Sequence, residues 1–296
     1  MSNYNILTAF PSQDYELLDS GDGEKLERYG KYVVARPDPQ ALWEKSLSET
    51  EWKKADAVFS RDAKNTGWTF KSNLPERWKI MFGELNFWIK PTSFKHTGIF
   101  PEQLPNWEWM REVIKEQGTK NKEQARVLNL FGYTGGASLA CADAGAEVCH
   151  VDGSKVAISW ARENAEISGL KDKPIRWILD DAFAFVKREV KRGNKYDGII
   201  MDPPAFGHGP KKEMWKIEVN FLPFLKTCFE LLTPEPLFFL VNGYASGYSA
   251  LAYENNLHFL TQKYGGKIEV GELTIAQKNG KVLLPAGIFA RWCKTN

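Results

Sequence analysis

The sequence predicts an α/β fold, a parallel sheet with crossover helices, preceded by a small β-rich N-terminal domain. Three observations carry this. From Arg126 onward, short apolar runs alternate with amphipathic helical stretches, the pattern of parallel strands joined by helices. The first hundred residues instead hold short β-branched and aromatic runs broken by turn residues. A chain of 296 residues has room for both, since single domains usually run about 100 to 200 residues. The expected division is a small domain over 1–103, a linking helix and linker over 104–125, and the α/β domain over 126–296.

In the small domain, YELLDS and GKYVVARP flank the turn-forming Ser20-Gly21-Asp22-Gly23 and read as a hairpin over residues 15–36. AVFSR, WTFKS, KIMFG, LNFWIK and TGIF follow as strand candidates. Trp43, Trp52, Trp68, Phe70, Trp78, Phe82, Phe87 and Trp88 lie among them; core packing is the favoured reading, and stacking of single-stranded nucleic acid the other. Segment Leu104–Gln117 places Trp107, Met110, Val113 and Ile114 at helical spacing before Gly118 and the polar run TKNKEQ.

Beyond it, VLNLF, EVCHV, IRWIL, DGIIM and LFFLV read as strands, joined later by GELTIA and GIFARWC. Helices Ala137–Ala144, Lys155–Ser168 and Ala182–Arg192 close on Gly145, Gly169 and Gly193, where a left-handed cap is favoured. Val156, Trp160, Ala161 and Ala165 form the expected core face of the second.

The formal net charge of +2 argues against a strongly basic surface, although a basic patch can be local. Cys141, Cys149, Cys228 and Cys293 have no metal-type spacing, which points to reduced, buried thiols and to no metal site. The first residues lack a charged start followed by an apolar run, and no stretch approaches a membrane span, so we expect a soluble, cytoplasmic protein. Oligomeric state leaves no mark in the sequence.

Strand VLNLF is apolar enough to be central, which puts the following glycines at its carboxyl end, where open α/β sheets bind ligands. The candidate cofactor residues are Asn129, Phe131, Gly132, Thr134, Gly135 and Gly136, followed by Asp152 and Ser154 after the second strand. The bare glycines admit a ligand to the backbone, the helix start offers amides to a carboxylate, and Asp152 can accept from two ribose hydroxyls. FGYTGG is not G-x-G-x-x-G, which favours S-adenosylmethionine over a dinucleotide. Asp181 and Ala182 follow the third strand; Asp181 suits an adenine amino group or a helix N-cap, with Asp180 competing for either role.

After the fourth strand comes Asp202-Pro203-Pro204-Ala205-Phe206. Two prolines fix the backbone, so Asp202 and the Pro203 carbonyl can orient a planar acceptor while Phe206 walls or stacks on it. Methyl transfer needs mainly such alignment and exclusion of water. In the next loop, His208, Lys211 and Lys212 suit either a phosphate backbone or plain solvent, and KREVKRGNK reads as a solvated helix face. His96, His150 and His258 have no spacing partner and are assigned structural roles.

With these motifs in hand, residues 94–206 resemble the class I S-adenosylmethionine-dependent methyltransferases that modify bases, cytosine or guanine, in large-subunit ribosomal RNA. The resemblance runs through FKHTGIFPEQ, VLNLFGYTGGASLACADAGAEVCHVDGSK, ARENAEISGL, DDAFAF and DPPAF. It implies a Rossmann-like seven-stranded domain of order 3-2-1-4-5-7-6 with the last strand antiparallel. It also implies a hairpin ending the small domain and reaching the cofactor through Phe100 and Gln103, and RNA, ribosomal in the first instance, as substrate.

The chain departs from that family in three places. Relatives that make 5-methylcytosine carry a cysteine after the fifth strand or in the proline loop, whereas here those places read LVNGYASGYS and DPPAFG. With no thiolate to add to the pyrimidine, a ring or exocyclic nitrogen is the better acceptor. Ala205 interrupts the amino-methyltransferase pattern D-P-P-[YF], and Lys, Arg, Asp and Glu are near balance up to residue 95. A small molecule or protein as acceptor, and a cofactor- or RNA-binding protein without turnover, are therefore the alternatives.

Overall fold

The structure, a computed structural model, describes residues 4–62, 65–71, 73–118, 124–208, 214–244 and 247–294. In chain order its strands and helices begin with β1 (Tyr4–Ala9), β2 (Tyr15–Gly21), β3 (Glu24–Tyr29), β4 (Tyr32–Pro37), α1 (Glu49–Trp52), β5 (Ala57–Asp62), β6 (Asn65–Phe70), β7 (Trp78–Phe82) and β8 (Leu85–Ile89). A 3-10 turn, Pro101–Gln103, leads into α2 (Leu104–Gly118), β9 (Arg126–Leu130), α3 (Gly136–Asp143), β10 (Glu147–Asp152), α4 (Lys155–Ile167), β11 (Ile175–Leu179) and α5 (Ala182–Arg192). The rest comprises β12 (Gly198–Met201), β13 (Phe206–His208), β14 (Met214–Lys216), α6 (Ile217–Phe229), β15 (Phe238–Gly243), α7 (Ala250–Tyr264), β16 (Lys267–Ala276) and β17 (Leu283–Cys293). Two compact units result: one holds Met1–Leu7, Pro105–Glu272 and Gly287–Asn296, the other Thr8–Leu104 and Leu273–Ala286.

The large unit is built on the sheet β11-β10-β9-β12-β15-β17-β16-β1. Reading β9, β10, β11, β12, β15, β16 and β17 as strands one to seven, the order is the expected 3-2-1-4-5-7-6, and β17 runs antiparallel to β15. β1 extends the sheet beyond β16, an eighth strand besides the seven expected. β12 and β15 are buried throughout and β9 nearly so, because helices cover both faces of a doubly wound sheet. β11, at the edge, is only partly covered.

Leu128, Leu130, Val151, Phe185, Ile199, Phe224, Phe239 and Trp292 lie in one continuous core, each such side chain contributing about 1.5–3 kcal/mol. On α4, Trp160, Ala161 and Ala165 are buried as expected, but Val156 is exposed: it stands in the first turn, and Ala157 and Ile158 take the inward positions. α6 carries Pro223 in its interior, which hides it from a pattern search, and α7 is likewise outside the helices anticipated.

In the small unit, β2 to β6 form one sheet in chain order and β7 pairs with β8. The expected hairpin is corrected to a three-strand meander. The turn at Asp22-Gly23 is where expected, but it leads into β3, whose sequence EKLERY is too charged to stand out as a strand. TGIF is not a strand either; Gly98 has φ 109° and Phe100 precedes the 3-10 turn.

Candidate functional site

Strands β10, β9 and β12 run parallel, with Leu130 opposite both Val151 and Met201, and β11 follows with Leu179 opposite Asp152. The segments that leave them, Phe131–Gly136, Asp152–Ser154, Asp180–Ala182 and Asp202–Phe206, therefore emerge along one edge. β9 is also where the chain turns from one half of the sheet to the other, the place where such sheets open a crevice.

The turn after β9 is held in an unusual backbone. Phe131, Tyr133 and Gly135 have φ of 61°, 49° and 94°. Its anchor is Asp152: Oδ2 accepts from the Tyr133 amide at 2.8 Å and Oδ1 from the Ser154 amide at 2.7 Å. Burial raises the Asp152 carboxyl above its ordinary value, and the two amides oppose that shift. Ser154 in turn caps α4, its Oγ accepting from the Ala157 amide at 3.2 Å.

A buried polar network lies under this turn. Asn129 Nδ2 donates to Ser138 Oγ at 2.8 Å, Ser138 Oγ meets His150 Nδ1 at 2.9 Å, and Asn164 Nδ2 donates to the Thr134 carbonyl at 3.0 Å. Burial pushes His150 down to about 3, so its ring is neutral throughout the working range. Asn129 and Thr134 thus brace the turn from below, and the Phe131 ring packs on Trp215 and Phe224 at 5.4 and 5.8 Å. His150, isolated in sequence, is the floor of the turn: a Cβ on Gly132 would lie 2.5 Å from its Nδ1. Gly132→Ala is accordingly expected to displace ring or turn at a cost of about 1–3 kcal/mol, read as a lowered Tm and weakened ligand binding at the strand end.

At the end of β11, Asp181 caps α5, its Oδ1 accepting from the Ala184 amide at 2.7 Å, and Ala182 is buried. Asp180 pairs with Arg188 and accepts from the Asp181 amide. The capping role is therefore filled by Asp181, which keeps one oxygen outside that bond. Lys187, Lys191, Arg192 and Lys195 are exposed, as on a solvated helix face, but Glu189 between them is buried and accepts from Arg192, Asn194 and the Tyr196 hydroxyl.

On the other side of β9, Asp202 follows Met201 and is half-buried, and Pro203 is buried. Pro204 and Phe206 are exposed, Phe206 opposite Lys216 in the β13–β14 ribbon. The loop is pinned twice: Trp215 Nε1 donates to the Pro204 carbonyl at 2.6 Å and the Ile217 amide to the Ala205 carbonyl at 3.1 Å. Tyr253 of α7 packs against Gly243 and feels the Asp202 charge; burial first, then Asp202, push its hydroxyl up to about 12. Beside it, Asn242 accepts from Asn106 Nδ2 at 3.0 Å, and Asn106 accepts from Arg291. Tyr253, Trp215 and Asn242 are absent from the sequence-derived site, because nothing local distinguishes them.

Phe100 and Gln103 lie in the other compact unit, where the Phe100 ring meets His96 at 5.3 Å and Gln103 is buried. Lys211 and Lys212 fall outside the described residues. All four cysteines are free and buried, and burial raises Cys149 to about 11. Among the described residues no His, Cys, Asp and Glu group suits a metal ion, and no helix is long and apolar enough to cross a membrane.

Comparison with known proteins gives the site a context. Residues 58–261 match the S-adenosylmethionine-dependent methyltransferase family. A SAM-dependent methyltransferase from Agrobacterium tumefaciens is 40% identical, with a TM-score of 0.91 over 98% of this chain and 94% of that one. Ribosomal RNA large subunit methyltransferase I of Aeromonas salmonicida is 33% identical over 139 residues, 47% of this chain and 33% of the relative. Ribosomal RNA large subunit methyltransferase K/L of Hahella chejuensis is 31% identical over 150 residues, 50% of this chain and 19% of the relative. The chain thus matches a third or less of the length of these two relatives.

Proposed function

We propose that this chain, which belongs to the S-adenosylmethionine-dependent methyltransferase family, methylates a nitrogen of a nucleobase in RNA, ribosomal RNA being the first candidate. The observation that carries the proposal is the pair of carboxylates at the strand ends, Asp152 after β10 and Asp202 after β12, with the glycine turn of β9 between them. The names of the two ribosomal RNA relatives support the substrate class.

The residues present fit the cofactor. Gly132 is kept bare by His150, and the first amides of α3 have no partner within their own helix, as at every helix start. Each Asp152 oxygen accepts one amide and retains a lone pair, enough for two vicinal hydroxyls. When bound, S-adenosylmethionine supplies a methyl group already activated on its sulfonium. Gly132, Gly135, Gly136, Asp152 and Ser154 form the main binding edge, with Asp181 and Ala182 at its adenine end. Phe100 and Gln103 remain assigned to the cofactor on the family resemblance.

On the acceptor side, Asp202 accepts a hydrogen bond from the base's N–H and takes that proton as nitrogen gains the methyl. Pro203 and Pro204, tied down through Trp215, fix the direction from which the base is held. Phe206 walls the ring. A paired base has to leave its stack to reach such a slot.

Asp152 makes cofactor binding sensitive to acid. Hydroxyl donors favour the ionised carboxylate, and burial has already raised its pKa, so affinity should fall as pH drops through a value above that of an ordinary aspartate. Calorimetric titration across that range checks this: Asp152→Asn should bind weakly at every pH and lose the acid limb.

The deciding experiment is transfer of labelled methyl from S-adenosylmethionine to RNA, DNA, protein and metabolite fractions of a cell lacking this protein, with Asp202→Ala as control. Label in RNA, located by nuclease digestion, supports the proposal. Label only in another fraction refutes RNA as substrate, and binding of cofactor without transfer refutes turnover.

A further inference from the structure

Away from the strand ends, positive charge gathers within the small unit. Lys25 on β3, Arg36 on β4 and Arg61 on β5 all act electrostatically on Lys95, in the turn after β8, and on His96 beside it. Two carboxylates answer them: Glu27, bound to Arg36 at 2.6 Å, and Asp38, 3.1 Å from Lys25. Arg61 is exposed and has no carboxylate partner among the described residues. Lys95 is held by its backbone as much as by its side chain. It has φ 68°, its carbonyl accepts from Arg36 at 3.1 Å, and its Nζ donates to the Pro37 carbonyl at 3.0 Å. Burial, then Lys25 and Arg61, push Lys95 down to about 8. Like charges kept together at such a cost mark a place where an anion would relieve them.

Aromatic rings adjoin the cluster. Trp68 Nε1 donates to the Thr92 carbonyl at 2.7 Å, and Thr92 closes the turn that carries Lys95. Opposite Trp68 stands Phe59, and two residues on, opposite Thr66, stands Arg61, so Trp68 and Arg61 share a face of the sheet. Trp68 stacks on Phe70, centroids 5.9 Å apart and planes at 14°, yet Phe70 is 51% exposed and Phe94, beside Lys95, is 78% exposed. Trp78, Phe82 and Phe87 do fill the core as the sequence suggests, whereas this pair faces solvent.

We propose that this surface grips a single-stranded stretch of the RNA substrate, a phosphate at Lys25, Arg61 and Lys95 and a neighbouring base stacked on Phe70; it rests on the reading of RNA as substrate. Cations that track a backbone beside a ring that takes a base are how sequence-tolerant single-strand binding is built. An isolated phosphate would use the cations and leave the rings idle.

The test uses the full chain and fluorescence anisotropy with a short labelled RNA, single-stranded or annealed, over a series of salt concentrations. Phe70→Ala should weaken single-strand binding by about 5- to 150-fold and leave the salt slope unchanged. Arg61→Gln should reduce the slope of log affinity against log salt by about 0.7. Denaturant unfolding of the small unit at the wild-type midpoint shows that both variants are folded. Wild-type binding of single strands that neither variant weakens, or equal binding of duplex with no effect of Phe70→Ala, overturns the proposal. Methyl transfer to RNA by the wild type is read separately. Transfer with binding indifferent to both variants removes this surface and keeps the function. Single-strand binding that the variants weaken, without transfer to RNA, keeps the surface and removes the function.

Discussion

Asp202→Ala is expected to lower methyl transfer by about 10²- to 10⁴-fold, the usual worth of a positioned acid or base, while leaving cofactor affinity close to that of the wild type. The separation follows from the architecture. Asp152 is the anchor of the turn after β9, through the Tyr133 and Ser154 amides, whereas Asp202 follows β12, the strand on the other side of β9. The loop that bears Asp202 is held at other points as well, because Trp215 and Ile217 donate to the Pro204 and Ala205 carbonyls and Pro203 is buried. Single-turnover rates with calorimetric cofactor binding test this. Asp202→Asn refines it: the amide can still accept a hydrogen bond but cannot take the proton, so it should restore acceptor binding more than rate. Equal loss of cofactor binding in Asp202→Ala and Asp152→Ala would contradict the division of the site.

Much of the large unit was legible because its elements carry their own marks. β12 is an apolar run and β9 and β15 are largely so, and α5 begins at Asp181 and ends at Gly193 with φ 72°, both readable from single residues. The turn after β9 was legible as a backbone feature for the same reason. What supports it was not: Ser138 and His150 come from different elements, and only the register of β9 against β10 brings them under Gly132. Tyr253 shows the same limit, since its place near Asp202 depends on where α7 crosses β15.

The small unit was harder to read because its strands break the hydrophobic pattern. β3 hides behind EKLERY, whose Glu27 is fully buried. A buried acid is invisible to a pattern that equates burial with apolarity, and it becomes intelligible only with its partners, which come from β2, β3 and β4. Phe70 is the converse case: an apolar residue read as core that the sheet leaves in solvent.

Glu27 should also be the most costly polar side chain to remove. Its Oε1 accepts from the Tyr15 and Tyr29 hydroxyls at 2.9 and 3.0 Å, and its Oε2 from Arg36 Nε at 2.7 Å. Glu27→Ala strands a buried guanidinium and two phenols, for which about 3–5 kcal/mol of lost stability is expected. Arg36 is 5% exposed and has few ways to recover solvent. Replacing both partners, Glu27→Leu with Arg36→Met, should regain much of the loss, since no charge is then left without its partner. Burial opposes ionisation of Glu27, but Arg36, Lys25 and Tyr15 together hold its carboxyl below the ordinary value. Its contribution is therefore complete above the unfolded-state value of about 4.3 and is lost as pH falls through the lower folded value. Denaturant unfolding followed in the small unit, at neutral pH and below about pH 4, should show Glu27→Gln destabilised at neutral pH and less sensitive to acid than the wild type. If Glu27→Ala unfolds at the wild-type denaturant concentration, the cluster is not what holds β2, β3 and β4 together, and the apolar side of that sheet must carry the stability instead.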